Sequence, residues 1–131
     1  MQYPEKKALS DARFERAKEC LAAAQRLIDT EQYISAANRL YYAVFHAMRS
    51  VLAFDGIDMK HHSGIISEFR RLYIKTGIFD KSLSNTITLA YDMRTGSDYD
   101  DFYVISKADV SDLYADVDVF LNTIRQHIAS R

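Results

Sequence analysis

The sequence predicts an all-α fold, a single-domain antiparallel bundle of about five helices over residues 1–131. In five segments, apolar side chains recur at spacings of three and four residues, and no segment alternates as a half-buried strand does. Helix breakers are few, because the chain contains one proline and four glycines. Hydrophobic residues make up 48% and charged residues 27%, which is typical of a globular domain with a core.

The first two helices are predicted on either side of a short polar connection. Residues 1–9 are expected to be a lead-in to a first helix that ends near Asp29, with Ser10 or Asp11 as its N-cap. A second helix is expected over about residues 32–54. It is apolar on most sides, which is typical of a central helix, so we expect the others to pack around it.

The second helix carries one narrow polar strip, formed by Ser35, Arg39, His46 and Ser50. Arg39 and His46 are seven residues apart and therefore lie on the same side, roughly 10 Å apart along the axis. The strip can face water. It can also form a polar seam against another helix or against a second copy of the chain.

Three further helices follow. The third has Ser63 as a candidate cap and is expected to stop at residues 76–77. Asp80 can cap the fourth, which is expected over about residues 81–95. The last begins after Ser106, where a Ser-Lys-Ala-Asp sequence resembles a capping box with Asp in place of Glu.

An arginine interrupts the apolar stripe of the fourth helix. Leu83, Ile87 and Ala90 recur at helical spacing, and Arg94 occupies the next position, two residues before Gly96 as the expected helix stop. One interpretation is that Arg94 lies at the last turn, favoured by the helix dipole, and pairs with an acidic residue of the following loop. The other is that it points inward and binds an anion, most plausibly a phosphate.

Several classes of protein are disfavoured by the composition. The single cysteine, Cys20, cannot form an internal disulfide, and the absence of a signal peptide or long apolar run predicts a cytoplasmic protein without a membrane segment. His61 and His62 are adjacent, point about 100° apart on a helix and lack nearby partner ligands, so we predict no metal site. No cofactor is expected.

Charge is unevenly distributed along the chain. The net charge of −1 argues against a basic nucleic-acid coat. Residues 60–81 nevertheless contain five basic and two acidic residues, whereas residues 92–118 contain two basic and eight acidic ones. Such polarity is common on a solvated surface, and it would also suit a protein that docks to itself or to a charged partner.

Three segments together resemble the HEPN family of small helical proteins. They are residues 36–47, residues 60–64 with their continuation to residue 77, and residues 94–103, in the same order as in the family. The resemblance spans nearly the whole chain. It implies an antiparallel helical bundle that forms a two-fold homodimer, and a minimal nucleotidyltransferase as the partner.

The resemblance also implies chemistry around Arg94. Many HEPN proteins are metal-independent endoribonucleases whose motif is an arginine, a polar residue and, after a gap, a histidine. Arg94 matches the arginine, which would steady a phosphate, and Thr95 is its polar neighbour. Tyr99 occupies a position of the motif histidine, and longer gaps reach Asp100 or Asp101. Tyrosine, with a reference pKa of about 10, is a poor base at neutral pH.

Three functions therefore stay open. The chain can be a module that binds RNA or a nucleotide through Arg39, Arg94 and Thr95 without cleaving RNA, in a toxin–antitoxin system with a nucleotidyltransferase. It can be an endoribonuclease toxin with Arg94, Tyr99 and His46 as catalytic candidates, His46 supplying the proton carrier. It can also be a structural partner. We expect Arg39, His46, Arg94 and Tyr99 to converge on one cleft, and Tyr99→His to raise any cleavage.

Overall fold

Five α-helices make up the bundle. The computed structural model describes residues 2–59 and 61–131, so Met1 of the expected lead-in and Lys60 of the second resembling segment lie outside the described residues. The helices are α1 Tyr3–Asp29, α2 Tyr33–Phe54, α3 His62–Phe69, α4 Ser82–Tyr99 and α5 Lys107–Ala129, and a π-helical turn at Arg70–Ile74 continues α3. The described residues include no strand, and the all-α bundle is confirmed.

Helix α2 is the centre of the core, as its apolar pattern predicts. It packs against α1, α3, α4 and α5. Leu40, Tyr41, Val44 and Met48 are fully buried on it, whereas α1 and α5 bury only one stripe each. The other helices therefore position their side chains relative to α2. None of the described helices is both long enough and apolar enough to span a membrane.

The first helix begins at Tyr3, so the prediction that residues 1–9 form a lead-in is wrong. Pro4 lies in the first turn, where backbone N–H groups have no acceptor within the helix, so its missing N–H costs no hydrogen bond. Its fixed φ also suits a helix. Tyr3 donates a hydrogen bond to the backbone oxygen of Arg131, 2.9 Å away, which holds this end against the C-terminus. Ser10 is fully buried inside the helix and does not cap it.

The fourth helix continues through Gly96 to Tyr99, so Gly96 is not the predicted stop. A Cβ at position 96 would overlap the ring of Tyr103, which packs directly against the glycine backbone. The glycine is thus explained by a close contact rather than by a helix end. The backbone turns away only at Asp100, whose N–H donates to the oxygen of Gly96.

Other local expectations are partly met. The Ser106 hydroxyl accepts a hydrogen bond from the N–H of Asp109 at 3.0 Å, as the capping sequence predicts. Asp80 is not the N-cap of α4, which is Lys81, but its carboxylate accepts a hydrogen bond from the N–H of Ser82 in the first turn at 2.9 Å. Ser63, however, lies within α3, whose N-cap is His61, and no side chain caps that end.

Candidate functional site

Arg94 points inward onto the aromatic side chains of α2. Its guanidinium carbon lies 5.1 Å from the centroid of the Tyr41 ring and 5.5 Å from that of Tyr42. Both distances fall within the range of a cation–π interaction. Adjacent tyrosines of α2 therefore form a platform under one arginine of α4.

Arg94 is also paired within its own helix. Its Nε lies 3.1 Å from Oδ2 of Asp98, one turn later, and the side chains are 22% and 34% exposed. The contact is an ion pair that is not aligned as a hydrogen bond, so the buried Nε makes no hydrogen bond to any of residues 2–59 and 61–131. Both sequence interpretations thus describe part of the geometry. Asp98 partly neutralises Arg94 but leaves donors for a ligand.

His62 joins this platform from the start of α3. Its Nδ1 lies 2.9 Å from the hydroxyl oxygen of Tyr41. Burial raises the pKa of Tyr41 to about 12, against the opposing effect of Arg94, so this phenol is protonated at neutral pH. When the phenol donates to Nδ1, the neutral imidazole carries its proton on Nε2. We call Arg94, Tyr41, Tyr42 and His62 the Arg94 cluster.

The environment of His62 keeps its imidazole neutral. The ring lies against Phe45, with centroids 4.1 Å apart. Burial lowers the pKa of His62, and the positive charges of Arg94 and Arg49 lower it further. A neutral imidazole can accept a proton, which a protonated one cannot.

His46 lies beside the cluster and is more strongly perturbed. Its ring centroid is 6.1 Å from that of Tyr42. Burial, with the charges of Arg16, Arg49 and Arg39, lowers its pKa to about 4. Its Nδ1 is buried and lacks a hydrogen-bond partner in the described part of the chain. His46 is therefore neutral at pH 7, and its low pKa makes it a weak base.

Arg39 reaches the same aromatic surface from one turn earlier in α2. Its guanidinium carbon lies 5.4 Å from the centroid of Tyr42, and its Nε and Nη2 donate to the side-chain oxygen of Asn38. The Tyr42 ring thus contacts Arg39, His46 and Arg94. Arg39 and His46 of the predicted polar strip therefore lie beside the two tyrosines. The other two residues of the strip differ in environment, since Ser35 is exposed and Ser50 is buried.

Tyr99 is not part of this arrangement within one chain. It is the last residue of α4 and is 81% exposed. Thr95 is half-buried next to Arg94 on the same helix. The structure therefore brings Arg39, His46 and Arg94 together and leaves Tyr99 apart, while the chemical roles assigned to them stay predictions.

Sequence reasoning missed the parts of the site that come from tertiary packing. The apolar pattern of the second helix includes Tyr41 as one more apolar residue and gives no partner for its hydroxyl. His62 was considered only as a metal ligand. The available signal was its position in the second resembling segment, beside a segment that contains both tyrosines.

Comparison with known proteins identifies the family. The model of the HEPN domain matches residues 10–127. The chain belongs to the HEPN family. The matched range includes the whole Arg94 cluster of this HEPN domain.

Three curated proteins illustrate the relatives of this HEPN domain. A UPF0332 protein of Thermotoga maritima is 33% identical over 113 residues, 86% of each chain. A protein of Methanocaldococcus jannaschii named "putative toxin" is 32% identical over 117 residues, 89% of this chain and 80% of its own. Another protein of that organism with the same description is 33% identical over 88 residues, 67% and 66% of the two chains.

Proposed function

We propose that this HEPN domain binds RNA or a nucleotide through a phosphate at Arg94, as the toxin component of a system whose second component is a minimal nucleotidyltransferase. The observation that carries the proposal is the inward Arg94, placed over Tyr41 and Tyr42 with its Nε against Asp98 and its two Nη groups bonded to none of the described residues. A guanidinium fork binds phosphate oxygens in a bidentate manner.

The surroundings of Arg94 suit a nucleic acid better than a simple anion. Arg39 and Arg94 contact the same tyrosine ring, and Arg49 lies 5.8 Å from the centroid of Phe45. Proteins that bind single strands combine cations for the backbone with aromatic rings for the bases. The names of the two archaeal relatives support the toxin part of the proposal. The nucleotidyltransferase partner rests on the family resemblance.

The test is binding of a labelled oligoribonucleotide by the wild type, Arg94→Ala and Arg94→Lys. We expect Arg94→Ala to weaken binding by roughly 10- to 100-fold, as loss of a charge-assisted contact does. Arg94→Lys should recover only a part of it, because lysine keeps the charge but loses the fork. Competition with a free mononucleotide distinguishes a nucleotide site from an RNA site. Equal binding by all three proteins would refute the proposal.

The partner is tested separately, by co-expression with a minimal nucleotidyltransferase encoded beside the gene. We expect the two proteins to co-purify and the partner to relieve any growth defect that this chain causes alone. A growth defect that persists with the partner, or a partner that does not bind, would reject the pairing while leaving the phosphate site intact.

A second candidate function is metal-independent RNA cleavage with His62 as the proton carrier. The observation that favours it is the neutral His62 ring, bonded to Tyr41 beneath Arg94. In the tautomer whose Nδ1–H donates to the phenol oxygen of Tyr41, Nε2 of the imidazole would take the proton of a 2′-hydroxyl as that oxygen bonds to phosphorus. The bond from phosphorus to the 5′-oxygen breaks, and the 5′-oxygen takes a proton from water. Arg94 would stabilise the charge on the phosphate.

The cleavage assay uses mixed RNA with EDTA present and compares single substitutions. We expect wild-type cleavage to be weak, to disappear in Arg94→Ala and His62→Ala, and to persist in His46→Ala. Tyr99→His should raise it, as the motif implies. Cleavage that survives His62→Ala but not His46→Ala would reverse the two histidine roles. If none of the proteins cleaves RNA but the wild type still binds it, RNA binding is the only function that remains.

A further inference from the structure

A groove of about 470 Å³ lies beside the Arg94 cluster, between α3 and α4. Its size falls within the range of small-molecule sites, about 300–1,000 Å³. Buried Ile66 and Ile87 contribute apolar walls, and the polar lining includes Arg70, Lys75 and Asp92. The proposed function does not use this groove.

Arg70 is held rigidly at the groove. It begins the π-helical turn at the end of α3, and such turns are frequent at functional sites. Its Nε donates to the hydroxyl of Ser84 at 3.0 Å, and its Nη2 donates to the hydroxyl of Thr88 at 2.7 Å and to the backbone oxygen of Ser84 at 3.2 Å. No described residue accepts from Nη1, so this donor is free for a ligand.

Tyr91 connects the groove to the Arg94 cluster. It lines the groove, is 43% exposed, and its ring centroid lies 6.0 Å from that of Tyr41. Tyr91 and Arg94 are three residues apart on α4, so they lie on the same side of the helix, roughly 4.5 Å apart along its axis. A strand with one phosphate at Arg94 can therefore place the adjoining nucleotide at Tyr91.

We propose that this groove is a second nucleotide subsite, which takes the base next to the phosphate at Arg94 by stacking it on Tyr91 and holds the following phosphate with Arg70 and Lys75. The assignment rests on the proposed RNA function and extends it to single-stranded RNA. Bases stacked on aromatic rings are typical of single-strand sites, which a paired duplex cannot supply. The carboxylate of Asp92 can accept from an N–H of the base.

The experiment measures binding of a labelled hexaribonucleotide that contains 2-aminopurine, over a series of salt concentrations. Tyr91→Ala should weaken binding by roughly 5- to 150-fold, the range expected for one lost base–aromatic stack, and should remove the quenching of 2-aminopurine. Tyr91→Phe keeps the ring and should retain both. Lys75→Gln should reduce the slope of log affinity against log salt by about 0.7, the contribution of one phosphate contact.

Lys18→Gln is the matched control for Lys75→Gln. Lys18 is exposed on α1 and pairs with Glu15, and it does not line the groove. It should leave the affinity and the salt slope unchanged. Circular dichroism and thermal melting verify that each variant is folded.

Arg94→Ala separates the two hypotheses. If the wild type binds RNA in an Arg94-dependent manner, but Tyr91→Ala and Lys75→Gln bind with wild-type affinity, slope and quenching, the subsite is refuted and the proposed function stands. If the wild type binds a mononucleotide but no RNA, the subsite is refuted and the proposed function stands. If it binds neither, the proposed function fails and the subsite fails with it. A preference for duplex over single-stranded RNA would also overturn the subsite.

Discussion

His46 is partly buried and lies among three arginines, and this position makes the stability of the protein depend on pH. Its pKa is about 4 in the folded state, compared with a reference value of 6.5. The unfolded chain therefore binds a proton on His46 as the pH falls below 6.5, while the folded protein does not until about pH 4. The stabilisation is complete above pH 6.5 and is lost between these values.

We expect the free energy of unfolding to fall by about 1–3 kcal/mol through His46 alone between about pH 7.5 and pH 4.5. The lower part of this range allows for its partial exposure. The measurement is urea unfolding of wild type and His46→Gln across that interval. The variant should lose less stability than the wild type as the pH falls. It should still lose some, because the pKa values of His62 and His127 are also lowered in the folded state. Parallel pH profiles would contradict the assignment.

The site shows which residues sequence patterns can identify. Arg94 could be singled out because it breaks an apolar stripe within its own helix. His62 could not, because its importance comes from Tyr41, twenty-one residues away in the chain. Helical periodicity reports which face of an element is apolar, and it does not report which elements meet. Both tyrosines were hidden by the same limit, since a buried tyrosine counts as apolar until its hydroxyl partner is known.

Among the elements, α4 gives the sharpest case of a helix extended by tertiary packing. Gly96 has no local reason to continue the helix, and glycine destabilises a helix interior by about 1 kcal/mol relative to alanine. The Tyr103 ring packs where a side chain would stand. We infer that the contact with Tyr103 compensates for the low helix propensity of Gly96.

We expect Gly96→Ala to destabilise the protein by about 1–3 kcal/mol, because the added methyl group overlaps the Tyr103 ring. In a Tyr103→Ala background the same substitution should stabilise by roughly 0.5–1 kcal/mol, since only the gain in helix propensity remains. Denaturant unfolding of the four proteins of this double-mutant cycle provides the measurement. Stabilisation by Gly96→Ala in both backgrounds would show that the ring does not constrain this position.

The helix ends were the least predictable part of the fold. Five helices and the central place of α2 follow from periodicity, and the Ser106 cap follows from side-chain chemistry. The early start at Tyr3 combines a local signal, Pro4 in the first turn, with a hydrogen bond to Arg131 at the other end of the chain, and the late end of α4 goes with the contact between Gly96 and Tyr103. Helical periodicity does not report these contacts between distant parts of the chain.

At the scale of the whole molecule, the homodimer implied by the family resemblance stays a prediction. The apolar sides of α2 do not require a second copy, because they are buried against α1, α3, α4 and α5 of the same chain. The feature of the chain that favours a dimer is its charge polarity, with an acidic segment over residues 92–118 that also exposes Phe102 and Val104. Such a segment could dock on the basic surface of a second copy.

We expect a dimer at micromolar concentrations whose dissociation constant rises with ionic strength, because salt screens contacts between exposed charges. Light scattering over a range of protein and salt concentrations provides the measurement. Asp101→Asn removes one exposed charge and should weaken the dimer. Asp112→Asn removes a charge elsewhere in the same segment, on α5, and tests whether the effect on the dimer depends on which acidic residue is changed. A monomer at every concentration would reject the dimer, and a salt-independent dimer would reject its electrostatic origin.

The double role of α2 has a consequence for how the protein can change under mutation. Tyr41 is fully buried in the core and also supports Arg94 and His62, so a substitution there alters folding and ligand chemistry together. Arg94 and His62 lie on α4 and α3, which pack around α2. Variants inactivated at these two positions should accumulate as abundant, folded protein, whereas those inactivated at Tyr41 should be degraded. Cellular abundance alone would then distinguish Arg94 and His62, which act on the ligand, from Tyr41, which holds them in place.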